Sequence, residues 1–213
     1  VPPSRRLVGA VRILAPTDAT ALGTWVGVNQ HGVAATLLNR YADAADLPTP
    51  GTVSRGLLVH SVLMARSAPE LIDRVRRASL GRHQPFTIVA IDSRHRCLIG
   101  DWDAREFEVD RGPEVGLVRT SSGRDQAEAE RSRAAAFADL AKDQRPSAAL
   151  LAAFHRGHWP ARGPFSVCMH REEAATRSLT VVRLRPTRAT MWYWDGPPCH
   201  RPRVARRTLT RSR

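Results

Sequence analysis

The period of apolar and polar positions changes several times along the 213 residues. Thr24–Val28 and Val33–Leu38 are short apolar runs separated by Asn29-Gln30-His31-Gly32. Four linking residues that end in a glycine free to take a positive φ predict a hairpin. Ser54 stands where an N-cap would open a helix reaching about Ala65. Ser67-Ala68-Pro69-Glu70 has the pattern of a capping box with an early proline, and predicts a second helix. Leu71, Ile72, Val75 and Leu80 give that helix an apolar stripe, with Arg74, Arg76 and Arg77 on its wet side. Phe86–Ile91 is an almost unbroken apolar run, answered by Arg96–Gly100 across the turn-forming Asp92-Ser93-Arg94-His95. Asp125–Lys142 is alanine-rich and predicts a long helix, and Ser147–His155 a shorter one stopped by Gly157. Phe165–Met169, Leu179–Leu184 and Thr190–Trp194 predict three more strands. From about His200 the chain is polar and basic with no apolar period, which predicts a disordered tail. The expectation is one domain over residues 1–199, built of two packed sheets covered by helices, and a tail over 200–213.

Composition narrows the class. A hydrophobic share of 42% suffices for one core. No apolar run approaches the roughly 20 residues of a membrane span. Leu7–Ala15 is short and interrupted by Arg12, so it does not read as a signal peptide, and a cytoplasmic address is expected. Cys97, Cys168 and Cys199 are odd in number and widely spaced, which is not a disulfide framework. The net charge of +13 and pI near 11.4 raise the question of nucleic acid. Almost all of that charge is arginine, with Lys142 the single lysine, and arginine with abundant alanine is also what a GC-rich genome produces. The arginines concentrate only at the end, in Arg201, Arg203, Arg206, Arg207, Arg211 and Arg213. No nucleic-acid-binding motif accompanies them, so binding through this tail is the weakest of the readings.

The most specific string runs from Gly23-Thr24-Trp25 through Val26-Gly27-Val28-Asn29 to Leu38-Asn39-Arg40. It is a hairpin whose second strand ends on two polar side chains, a common place for a site. The string closely resembles a segment of the Asn-Arg-Asp-Glu family, relatives of the animal Transport and Golgi organisation 2 protein. Ser54-Arg55-Gly56, Pro85–Asp92, Ser166-Val167-Cys168-Met169-His170-Arg171 and Tyr193–Pro198 resemble later segments in the same order, the string from Ser166 to Arg171 in the form of the bacterial branch.

That resemblance implies an α+β fold, the αββα four-layer sandwich of N-terminal-nucleophile hydrolases such as penicillin V acylase and bile-salt hydrolase. In those enzymes an N-terminal cysteine attacks, and its own α-amino group, with a pKa near 8, takes the proton. Asn39 matches an asparagine that helps form the oxyanion hole, and Arg171 a late-strand arginine of the site. Trp25, Asn29, Arg40, Ser121, Ser122 and His170 are expected as substrate contacts around them. A second site asparagine of the acylases falls near Thr120–Gly123, where this chain has Ser121, a donor of shorter reach.

The family opens with Met-Cys-Thr and carries its Asn-Arg-Asp-Glu motif further on. This chain opens Val1-Pro2-Pro3-Ser4-Arg5, which resembles the stretch after that motif. The expectation is a protein whose nucleophile-bearing first segment and first strand are missing, and whose 213-residue form has no amidase activity.

His155, His158, Cys168 and His170 are the grouping a metal could use. However, His-x-x-His at a helix end faces one side poorly. The plain reading makes Cys168 a small buried hydrophobe and His155 and His158 surface residues, so no metal and no cofactor are expected. Haem is the related idea, with His170 or Cys168 as ligand, but no attachment motif is present. Trp102, Trp159, Trp192 and Trp194 read as core or sheet-face residues. Two functions remain: a hydrolase or acyltransferase on non-peptide C–N or thioester bonds, or a non-catalytic carrier of an acyl-CoA, a lipid or haem.

Overall fold

The computed structural model describes residues 1–41, 52–113, 116–144 and 147–212. They form two compact units. The first comprises Val1–Glu114, Val182–Met191 and Arg206–Arg213, and the second Val115–Val181 and Trp192–Ala205.

The first unit is built on an antiparallel meander in chain order: β1 (Ser4–Val8), β2 (Val11–Ala15), β3 (Val26–Asn29), β4 (Val33–Asn39), β5 (Phe86–Asp92), β6 (Cys97–Trp102) and β7 (Phe107–Arg111). Side chains alternate across a sheet, so each strand feeds two layers. Ile13, Val33, Ala35, Leu37, Phe86, Ile88 and Ala90 meet the apolar face of α1 (Arg55–Val62) and α2 (Ala68–Arg76). Leu14 and Val28 face the other way and pack with Ala189, Met191 and Leu209. Those three belong to a second sheet of order β10-β9-β8, with β8 Ser178–Leu184, β9 Arg188–Asp195 and β10 Val204–Thr210. A strand covered on both faces needs apolar residues at nearly every position, which is why Phe86–Ile91 reads as an unbroken run.

The second unit holds α3 (Gln126–Ala141) and α4 (Ala148–Arg156), which meet through an edge-on pair of Phe137 and Phe154 with ring centroids 5.2 Å apart. Ser147 Oγ caps α4 by accepting from Leu150 N, and Asp125 caps α3 by accepting from Glu128 N. No described helix is long and apolar enough to cross a membrane.

Several expectations are corrected. The basic end is not disordered: Val204–Thr210 is a strand. Leu209 is its one buried residue, too little apolar content to show a period. Pairing with β9 orders this strand, and arginines work inside the fold. Arg5 donates to Thr208 O, and Arg211 donates to Arg185 O, Pro186 O, His31 O and Ser93 Oγ. Arg213 lies outside the described residues. Phe165–Met169 is not a strand either. It lies in an irregular stretch punctuated by Gly157, Pro160, Gly163 and Pro164, where backbone bonds stay local, such as Cys168 N to Gly157 O at 3.0 Å. The hairpin β1–β2, turning on Gly9 at φ +56°, and the charged edge strand β7 had no clear apolar period. Trp159 is 56% exposed rather than core, whereas Trp102 is buried with its Nε1 donating to His83 O.

Two motif glycines explain each other. Gly23 and Gly56 lie back to back, with Thr24 N donating to Gly56 O at 3.1 Å. A Cβ on Gly23 would stand 2.6 Å from the Gly56 carbonyl carbon and 2.9 Å from Leu57 N. Those atoms are backbone and cannot rotate aside, so Gly23→Ala is expected to destabilise by about 1–3 kcal/mol. Thermal denaturation reads this directly, and an unchanged midpoint would show that the helix can withdraw from the strand.

Candidate functional site

The hairpin carries two asparagines with opposite situations. Asn29, at the end of β3, is fully buried. Its Nδ2 donates to Leu63 O at 2.7 Å and Ala65 O at 2.6 Å, and its Oδ1 accepts from His31 N at 2.9 Å and Val33 N at 3.0 Å. An asparagine carboxamide has two donors and one acceptor oxygen, so nothing is left for a ligand. Asn29 therefore holds the hairpin onto the end of α1, and that helix stops at Val62 rather than Ala65 where the carbonyls turn toward it. Gly32 takes φ +76°, and closes the turn by donating from its N–H to Asn29 O.

Asn39 is the last residue of β4, half-buried, with its backbone in register with Phe86. Its Nδ2 donates to the hydroxyl of the exposed Tyr41 at 3.2 Å. The hydrogen bond to Tyr41 places this carboxamide at the end of a paired strand. Arg40 follows, exposed, and pairs with Asp101 at 3.4 Å, while Asp101 also accepts from Thr87 Oγ1. Asp101 did not stand out in the sequence because its role depends on β5 and β6 being neighbours. Trp25 is half-buried at the head of β3, and its carbonyl accepts from Leu37 N and Thr36 Oγ1.

In the second unit, Ser122 organises the entry to α3. Its N–H donates to Gln126 Oε1, and its hydroxyl donates to Arg124 O. Arg133 of α3 reaches Phe165 O and Ser166 O at 3.3 Å and Ser121 O at 3.4 Å. Burial first, and then the charge of Arg171, lower its pKa. Arg171 is largely buried and pairs with Glu173 at 3.3 Å. Arg133 was missed because nothing in the sequence of an alanine-rich helix tells the largely buried Arg133 from the exposed Arg131.

A close group of chemically active side chains among the described residues is also in the second unit. His158, Cys168, His170 and Cys199 converge so that one ligand atom from each lies within 4.8 Å of all the others. His170 Nε2 is 3.2 Å from His158 Nε2, 3.6 Å from Cys168 Sγ and 3.4 Å from Cys199 Sγ. Burial pushes the Cys168 thiol up to about 11, and burial, then Arg162, His158 and His200, keep the His170 pKa below the ordinary value. The sequence grouped His155 with these residues; the structure leaves His155 exposed and outside. Cys199, absent from that grouping, takes its place from 29 residues beyond His170, a separation that matches no motif spacing. These residues could hold a metal. His170, expected as a substrate contact, sits at their centre.

Comparisons with known proteins agree on the frame. A family model described as Transport and Golgi organisation 2 matches residues 6–112. Penicillin V acylase from Agrobacterium tumefaciens is similar in structure with a TM-score of 0.53 and 12% identity, covering 94% of this chain and 70% of that one. Two variants of conjugated bile acid hydrolase from Clostridium perfringens give TM-scores of 0.55 and 0.54 at 10% identity, covering 97% of this chain and 83% of theirs. No curated protein matches. The solved neighbours share the N-terminal-nucleophile-hydrolase fold, and at these identities the likeness concerns fold alone.

Proposed function

The chain belongs to the Transport and Golgi organisation 2 family and has an N-terminal-nucleophile-hydrolase-like fold, and from that premise we propose that it handles acyl groups as a hydrolase or acyltransferase on non-peptide C–N or thioester bonds. The observation that carries this reading is Asn39: a half-buried carboxamide fixed at the end of a strand paired on both sides, its Nδ2 directed to the hydroxyl of the exposed Tyr41. A donor held in that way suits an oxyanion that develops during acyl transfer. Arg171, and Ser121 and Ser122 in the second unit, are proposed to serve the substrate, as are Trp25 and Arg40. Asn29 is assigned to the fold. The cytoplasm is the compartment this reading assigns, since a reducing milieu keeps Cys97, Cys168 and Cys199 as the free thiols they are here.

The chemistry requires a cysteine with a free α-amino group, and Cys97, Cys168 and Cys199 are internal. The test is the N-terminal peptide of the protein isolated from its natural source, read by mass spectrometry, followed by an assay of that form on acyl-amides and acyl-thioesters. A mature N-terminal cysteine with turnover, together with no turnover by the 213-residue form, is the expected result. A natural form without that cysteine, or one that has it and turns over neither class, removes the hydrolase reading.

A second reading, a non-catalytic carrier of an acyl-CoA or lipid, is favoured by one feature of the second unit. A groove of about 680 Å³ runs along α3 beside Trp159 and Pro160, with Ala135, Ala136 and Leu140 in its wall. That volume suits a small-molecule ligand.

A further inference from the structure

We propose that His158, Cys168, His170 and Cys199 form a structural zinc site, with all four side chains as ligands and no open position. The inference stands on the positions of the donor atoms and is independent of the acyl-transfer reading. With Zn–S near 2.3 Å and Zn–N near 2.0–2.1 Å at tetrahedral angles, ligand atoms should lie about 3.3 Å apart for two nitrogens and about 3.5 Å for nitrogen and sulfur. The nitrogens of His158 and His170 are 3.2 Å apart, and His170 Nε2 lies 3.6 Å and 3.4 Å from the sulfurs of Cys168 and Cys199. A hydrogen-bonded cluster would explain one such spacing, but it does not require one donor atom from each of four side chains to lie within 4.8 Å of all the others. Two imidazoles and two sulfurs are the donor set that zinc takes in closed sites.

The surroundings give the metal a task. Cys168 and His170 sit in the irregular stretch between α4 and β8, where the bridge His170–Ala175 is the one strand-like pairing among the described residues. His158 follows α4 by two residues, and Cys199 lies in the short 3-10 turn Pro198–His200 that follows β9. One ion would tie together three segments that otherwise rely on scattered loop hydrogen bonds such as His170 N to Gly163 O. Binding releases two thiol protons to solvent and leaves Zn²⁺ balanced by two thiolates, a neutral centre with no redox change. The same crowding argues against haem here, because a porphyrin takes axial ligands from its two faces, and four donor atoms within 4.8 Å of one another leave no room for the ring between them.

One neighbour opposes metal binding. Arg162 Nη2 lies 3.4 Å from His170 Nδ1, and a metal on Nε2 requires a proton on that Nδ1. Arg162 is exposed and can move off, so binding should be tighter without it.

The test uses the full chain, reduced and kept free of oxygen. Zinc in the purified protein is counted by elemental analysis, and Co²⁺ is titrated into the metal-stripped protein as a coloured probe. The expected result is one zinc per chain and a tetrahedral cobalt spectrum with thiolate charge-transfer bands, abolished by Zn²⁺. Cys168→Ser with Cys199→Ser should weaken Co²⁺ binding by at least about tenfold; His155→Ala should not change it, and Arg162→Ala should strengthen it. The unsubstituted chain is the control against misfolding, since its stoichiometry and spectrum need no variant. Absence of zinc and of a cobalt spectrum in the reduced chain would overturn the proposal. So would a cobalt spectrum that survives the double substitution, or a Cys168–Cys199 disulfide as the stable form under reducing conditions.

Discussion

Asn29→Ala is expected to destabilise the protein by about 3–5 kcal/mol. The substitution leaves two carbonyls, of Leu63 and Ala65, and two N–H groups, of His31 and Val33, without the partner they now share. Each buried polar group left unpaired costs about 1–3 kcal/mol, and water can reach some of them at the loop, which places the sum below four full penalties. A loss of that size is a large part of the stability of a typical domain. Asn29→Asp should not rescue it. An aspartate keeps an acceptor for His31 and Val33 but turns a carboxylate oxygen toward two carbonyl oxygens. Chemical denaturation of the three proteins measures the effect. A cost under about 1 kcal/mol for alanine would mean that the hairpin does not depend on this side chain and would return Asn29 to the candidates for ligand contact.

Asn39→Ala should behave in the reverse way. Its side chain is half-buried at the strand end, with an exposed partner in Tyr41, so the stability change is expected to stay under about 1 kcal/mol. In the form that carries an N-terminal cysteine, loss of the donor should lower kcat/KM by about 10²–10³-fold, the scale for one oxyanion-hole donor. The split between the two measurements distinguishes the roles: activity falls while the denaturation midpoint holds. Activity equal to that of the parent would remove Asn39 from the chemistry, and loss of both together would make it a second structural residue of the hairpin.

Much of the motif that carries the family resemblance is explained by packing. Gly23 and Gly56 are small so that two backbones can touch, Gly32 accepts a left-handed conformation, and Asn29 fastens a helix end. A motif built on such requirements identifies a fold strongly and an activity weakly. That is why the string from Gly23 to Arg40 pointed to the right frame, while within it the four hydrogen bonds of Asn29 serve the fold.

The sequence by itself determined the elements with a strong period: the hairpin around Asn29–Gly32, the capping by Ser67 of α2, the run of β5, and the two helices α3 and α4. Each follows from neighbours a few residues apart, which is the range over which periodicity and capping act. Only the tertiary structure decided the rest. Val204–Thr210 becomes a strand because β9 offers it an edge to pair with, while Arg5 reaches Thr208 and Arg211 reaches the turns at Arg185 and His31. Cys199 joins His158, Cys168 and His170 because β9 returns the chain to the loop after α4. Such partners are chosen by the fold from positions that have no fixed spacing along the chain, so no local pattern can announce them.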